Sequence, residues 1–202
     1  MSLRVVLASS SPRRRELLRM IGIAHEVMPA DIDESYVPGE LPAAHAERLA
    51  REKGAVIAAR QPQSVVISAD TIVVIDSRVL GKPGDTDEAA RMLRQLSGRT
   101  HTVFTAVAVA RHGRVESGVE AVTVTFRELS DEDVAAYIST GEPTDKAGAY
   151  GIQGYGATIV ARIDGDFFAV MGLALGRMIA LLRRIGVRYD FRSLAEEVGA
   201  RA

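Results

Sequence analysis

Asp70 stands between two strongly apolar runs, VVIS at 65–68 and TIVVI at 71–75. Burial in such a setting is costly: even a neutral polar group left unpaired loses roughly 2–7 kcal/mol. One reading makes Asp70 the cap of a bend between two short strands. The other makes it a carboxylate held rigidly at a strand end, where it activates water or holds a divalent cation.

Cationic groups that suit phosphate are also present. Ser9-Ser10-Ser11-Pro12-Arg13-Arg14-Arg15 places hydroxyls and consecutive guanidinium groups at the start of an expected helix. Free backbone N–H groups there attract anions, and arginine adds bidentate phosphate contacts. A serine-capped helix with solvated arginines is the bland alternative, but cations at a helix N-terminus oppose its dipole. Lys53, Lys82 and Lys146 are scattered, and surface solvation is the usual fate of such residues. Lys82 lies in Gly81-Lys82-Pro83, a rigid loop that would aim one cation. The acidic loop Asp31-Ile32-Asp33-Glu34 offers oxygen ligands of the kind Mg²⁺ or Mn²⁺ takes, although a solvated loop is the more common explanation of such a run. Four glycines fall within 148–156, around Gln153, whose amide could read a base edge. A plain turn before a strand is the alternative there.

Composition narrows the classes. The 202 residues are 47% hydrophobic and 25% charged, with a net charge of −1. That is globular composition with no global attraction for nucleic acid or anionic membranes, so any phosphate binding must be local. The ten Phe and Tyr (five each) with no basic excess argue against a nucleic-acid binder. The chain has no cysteine, which excludes disulfides, thiolate nucleophiles and Cys-ligated metals. The four histidines show no metal-ligand spacing, and no G-x-S-x-G, Rossmann or Walker A pattern occurs. No apolar stretch is long enough to span a bilayer, and a cytoplasmic location is the expectation.

The elements that must position these groups alternate between strand and helix. Strands are expected at 3–8, 26–29, 65–67, 72–75 and 158–163. Helices are expected from Pro12 to about Ile21, at 43–60, 85–96 and 130–138, and from about Leu173 to Arg184. Alternating stretches at 102–110 and 119–126 flank His112-Gly113 and read as a β-hairpin. The expected fold is therefore α/β with a mixed central sheet flanked by helices. Residues 1–190 would form one domain of two lobes with a cleft, the hairpin lobe at about 100–145. Residues 191–202 would form a frayed C-terminal tail.

Taken in order, the segments LASSSPRR (7–14), DIDE (31–34), REK (51–53), SADTIVV (68–74), GKP (81–83), LSGRTHTVFT (96–105) and EPTDKAGAYGIQG (142–154) resemble the Maf family of nucleotide pyrophosphatases. The resemblance runs from near residue 3 to about 185. It implies a fold related to the inosine triphosphate pyrophosphatases and a divalent metal, Mg²⁺ or Mn²⁺. It also implies homodimeric assembly and hydrolysis of a nucleoside triphosphate between its α- and β-phosphates. By position, Asp70 looks like the catalytic carboxylate, with Glu34 beside it as metal ligand. Ser9, Arg14, Lys53 and Lys82 look like phosphate-binding residues. Arg13, Thr71 and Gln153 match the positions that separate the family's branches, and all three carry the dTTP/UTP branch's residue. The substrate is then a pyrimidine nucleoside triphosphate, with modified pyrimidine nucleotides included in a housecleaning role. Alternatives are a pyrophosphatase for 7-methyl-GTP or another noncanonical nucleotide, and a non-catalytic nucleotide-sensing regulator of septum formation. The chain departs from the family pattern at Gly54, often alanine, and at 169–174, where a customary Asn and Pro are missing.

Overall fold

The computed structural model describes residues 2–197. The short strand β1 (Val5–Leu7) is wholly buried, as a continuous apolar run in a parallel sheet should be. It pairs in parallel with β2 (Glu26–Val27) and with β3 (Val65–Ile75). Parallel neighbours need long crossovers, and helices α1 (Pro12–Met20) and α2 (Pro42–Arg60) supply them. β4 (Arg78–Leu80) turns back antiparallel onto β3. Helix α3 (Thr86–Leu96) leads to the hairpin β5 (Thr100–Arg111) and β6 (Arg114–Phe126). After α4 (Asp131–Ser139), β7 (Val160–Asp164) adds antiparallel to β6. The strands of this mixed sheet run in the order β2-β1-β3-β5-β6-β7, with β4 on β3.

Local chemistry explains several boundaries. The hairpin turn is His112-Gly113, both at positive φ (48° and 77°), the requirement of a two-residue turn that matches strand twist. The Asp85 side chain accepts from the Glu88 N–H, while the Glu88 carboxylate caps Gly84 N–H, one residue before the position a capping box requires. Ser130 and Asp133 make the reciprocal box at α4. Two expectations change and one element is added. Residues 68–71 do not break a strand, because β3 runs unbroken through them. The helix expected from about Leu173 to Arg184 is present as α6 (Leu175–Arg184), and a short helix that was not expected, α5 (Phe167–Met171), precedes it, ending just before Gly172 (φ 114°). The segment expected to fray is folded through residue 197. β8 (Val187–Tyr189) pairs with β9 (Leu194–Glu196), and Leu194 is buried there. The remainder of that tail, 198–202, lies outside the described residues.

The chain divides into two compact units, and β3, β5 and β6 contribute to both. The first comprises Met1–Asp70, Thr105–Val119 and Gly172–Ala202. Its core includes Val6, Ala8, Ile57, Val66 and Ala110, joining β1, β3, β5 and α2. The second comprises Thr71–Phe104 and Glu120–Met171, so the hairpin's turn end groups with the first unit instead. In the second unit α3 packs on α4. There His101, Phe126 and Tyr150 form an edge-to-face aromatic cluster with centroids 4.7–5.3 Å apart, a favoured arrangement for such rings.

Candidate active site

Within the first unit, Asp70 is 8% exposed in β3 and Lys53 is 7% exposed on α2. The Lys53 ammonium donates to Asp70 Oδ1 at 2.8 Å and lies 2.7 Å from Glu34 Oε1. The cost of burying the Asp70 carboxylate is thus offset by a paired cation, and the bend-capping alternative does not apply because Asp70 is mid-strand. Lys53 is not a solvated surface lysine. It continues the buried face of α2 marked by Ala46, Leu49, Ala50 and Ile57, so helical periodicity alone points to its burial.

Glu34, with its side chain 60% exposed, is carried by a loop that a second network holds. The Glu40 carboxylate accepts from Arg48 Nε and Nη2 at 2.8 and 3.0 Å and lies 2.9 Å from His45 Nδ1. Those hydrogen bonds, Arg48's first, push the Glu40 pKa down to about 2. Arg48 also donates to the Ser35 carbonyl at 2.9 Å, and Tyr36 stacks on His45 with centroids 3.7 Å apart. The residue next to Glu34 is therefore tied to α2. Motif reading missed this network, because its members are ordinary charged residues 3–8 positions apart.

The serine–arginine segment resolves differently from a serine cap. Ser11 makes no side-chain cap to α1, and Pro12 occupies its first turn. Buried Ser9 instead accepts from the Ser11 N–H and from Arg14 Nη1, the latter at 2.9 Å. Arg14 Nε donates to the Gly172 carbonyl at 2.8 Å, which fixes its guanidinium. Burial lowers the Arg14 pKa, and the neighbouring Arg13 charge adds to that, while Asp70 and Glu34 oppose it. Asp70, Glu34, Arg13 and Arg14 thus share one electrostatic environment.

In the second unit, Thr71 follows Asp70 in β3 and is partly exposed. Lys82 is exposed in a short loop fixed on both sides: the Gly81 carbonyl accepts from Gly148 N–H at 3.0 Å, and Pro83 is buried. Gln153 is exposed, although Tyr150 and Ile152 just before it are buried. Lys146 is committed locally, to the Glu142 carbonyl and to Asp145.

No group of three or more carboxylate or imidazole ligands converges among the described residues. Asp70 and Glu34 nonetheless fit Mg²⁺ or Mn²⁺, which takes one or two carboxylates when phosphate oxygens and water complete the shell. A braced carboxylate that can take a proton, with a buried ammonium and a fixed guanidinium that can donate to phosphate, suits phosphoryl transfer, where positioning and charge stabilisation dominate. No helix among the described residues is long and apolar enough to cross a membrane.

Comparison with known proteins gives a consistent match. The family model described as "Maf-like protein" matches residues 4–185. A dTTP/UTP pyrophosphatase of Moorella thermoacetica is 52% identical over 186 residues, covering 91% of this chain and 96% of that one. One of Syntrophomonas wolfei is 50% identical over 182 residues, covering 89% and 96%. Among solved structures, a nucleoside-triphosphatase (dITP/XTP pyrophosphatase) from Mycobacterium abscessus aligns with a TM-score of 0.46 at 15% identity, covering 90% and 95%. By a match that spans residues 4–185 of its 202, this chain belongs to the Maf-like protein family.

Proposed function

We propose that this protein is a nucleoside triphosphate pyrophosphatase that hydrolyses dTTP and UTP to the monophosphate and pyrophosphate. The observation that carries the reading is the buried Asp70 carboxylate, paired with Lys53 and sharing its surroundings with Arg14 and Glu34. Anion binding alone gains nothing from a carboxylate beside phosphate, whereas hydrolysis needs one. The names of the relatives, at 44–52% identity, support the choice of substrate.

In this mechanism Lys53 engages Asp70 Oδ1 and fixes the carboxylate's orientation. The second oxygen of Asp70 orients the attacking water toward the α-phosphorus and takes its proton. Arg13, Arg14, Lys53 and Lys82 meet the charge that grows on departing pyrophosphate, and Ser9 holds the Arg14 guanidinium in place. A bound Mg²⁺ or Mn²⁺, held by Asp70 with Glu34, would neutralise phosphate charge and activate the nucleophile. Thr71 and Gln153 read the O2/N3/O4 edge of uracil or thymine, and purines are rejected by size and by unpaired polar groups. The protein acts in the cytoplasm as a homodimer, and modified pyrimidine triphosphates fall within its range.

A panel of nucleoside triphosphates with pyrophosphate detection tests this reading, run with Mg²⁺ and with Mn²⁺ beside an Asp70→Asn control. Pyrophosphate release from dTTP and UTP, lost in the control, is the expected result. Preference for a purine or 7-methyl-GTP would overturn the substrate assignment. Nucleotide binding with no pyrophosphate from any triphosphate would overturn catalysis.

A further inference from the structure

The Gln153 segment is pinned two residues to either side by one assembly from α4 and the turn that follows it. The Tyr137 hydroxyl donates to Glu142 Oε1 at 2.8 Å and accepts from the Gly151 N–H at 3.1 Å. The Glu142 carboxylate then accepts the backbone N–H groups of Tyr155 at 2.9 Å and Gly156 at 2.9 Å. An ionised acceptor of several donors is a strong, directional anchor. The packing leaves no slack. A Cβ at Gly154 would lie 2.4 Å from Glu142 Oε2, and one at Gly156 would lie 2.0 Å from the Gly151 carbonyl oxygen. Gln153 itself stays exposed between these anchors.

We infer that Glu142 and Tyr137 are positioning residues for base selectivity: they hold the backbone at 151 and 155–156 so that the Gln153 amide is presented in one orientation. This rests on Gln153 reading the pyrimidine edge, as proposed above. Neither residue touches substrate in this scheme. Discrimination through a hydrogen-bonded edge depends on donors and acceptors already being in place, and an amide on a loose loop would accept several bases.

The test measures kcat and KM for dTTP, UTP and dATP in Glu142→Gln, Tyr137→Phe, Gln153→Ala and the Glu142→Gln/Gln153→Ala double variant. Hydrogen exchange at Gly151, Tyr155 and Gly156 is followed in parallel. Glu142→Gln turns an NH₂ group toward a backbone N–H, and Tyr137→Phe removes the Gly151 acceptor. Each of the two anchor variants, Glu142→Gln and Tyr137→Phe, is expected to speed exchange at those amides. Each should also lower the dTTP-to-dATP ratio of kcat/KM by about tenfold, chiefly through KM, the scale of one lost charged hydrogen bond. The double variant is expected to be no less selective than Gln153→Ala, because the anchors act through that side chain. Selectivity kept in both anchor variants while Gln153→Ala loses it would overturn the inference and leave the base-reading role intact. Selectivity kept in Gln153→Ala as well would overturn both. Further loss in the double variant would mean that the anchors act on something other than Gln153, and would also overturn the inference. If Glu142→Gln does not fold, Tyr137→Phe decides the matter, since it leaves the carboxylate with both of its amide donors.

Discussion

Lys53 Nζ and Asp70 Oδ1 are 2.8 Å apart, and both residues are less than a tenth exposed. Removing one side of such a pair is worse than never having built it, because the other charge stays buried. Lys53→Met is therefore expected to cost about 3–5 kcal/mol of stability by urea unfolding. Asp70→Asn keeps an oxygen that accepts from Lys53, and Lys53 keeps Glu34, so it should cost clearly less. That variant should nevertheless lose at least about 100-fold in turnover, the scale of general-base catalysis. An Asp70→Asn protein less stable than Lys53→Met, or one with wild-type turnover, contradicts this account.

Glu34 Oε1 lies 2.7 Å from the same Lys53 ammonium, and the Glu34 side chain is exposed. An ion pair that open to water contributes about 0.2–1 kcal/mol, so Glu34→Gln should barely move the unfolding midpoint. A metal-supporting role makes a different demand. The Mg²⁺ or Mn²⁺ concentration for half-maximal rate should rise at least about tenfold, the lower end of what losing a supporting group costs. Much of the rate should return at saturating metal. An unshifted metal titration takes Glu34 out of the metal site.

The unequal legibility of these residues has physical causes. The helix caps at Asp85 and Ser130 and the His112-Gly113 turn are local, so residue type and spacing reveal them. The burial of Lys53 was equally readable from the apolar residues three and four positions away on α2, although a lone lysine is ordinarily solvated. Asp70 read as a strand break because a carboxylate is unfavourable within an apolar strand. Only its partner, 17 residues earlier, removes that objection. The Glu142 anchor could not be read at all. It binds backbone N–H groups 13 and 14 residues away, and every residue offers that donor, whatever its side chain.

His101 should give the protein a pH dependence in a window of its own. Burial lowers its pKa from 6.5 to about 4, and its Nε2 lies 2.8 Å from the Tyr150 hydroxyl. The unfolded chain takes up this proton first, so the contribution is full above pH 6.5 and is lost as pH falls toward about 4. The depressed carboxylates, Glu40 and Asp133, lose their contributions as pH falls from their ordinary values, 4.5 and 3.8, toward about 2, below most of this window. Between pH 6.5 and 4.5 the wild-type urea midpoint should therefore fall, and the fall should be much smaller in His101→Gln. An imidazole that titrates near 6.5 by NMR in the folded protein contradicts the assignment.

Gly54 makes the last case, because its role lies in what a methyl group would strike. A Cβ there would sit 2.7 Å from Ser68 Oγ. That buried hydroxyl donates to the Ala50 carbonyl at 2.6 Å and contacts the Ala108 carbonyl at 3.3 Å. Alanine within a helix is favoured over glycine by about 1 kcal/mol. Turning the hydroxyl away from its acceptors costs about 1–3 kcal/mol, with strain in addition. Gly54→Ala is therefore expected to be net destabilising by about 1–2 kcal/mol. Adding Ser68→Ala removes both the obstacle and the donor. The Ala50 carbonyl retains the helical N–H of residue 54, so the double variant should equal or exceed wild type in stability. The cycle is strongly non-additive by construction. A double variant no more stable than Gly54→Ala alone would show that Ser68 is not what keeps a side chain off position 54.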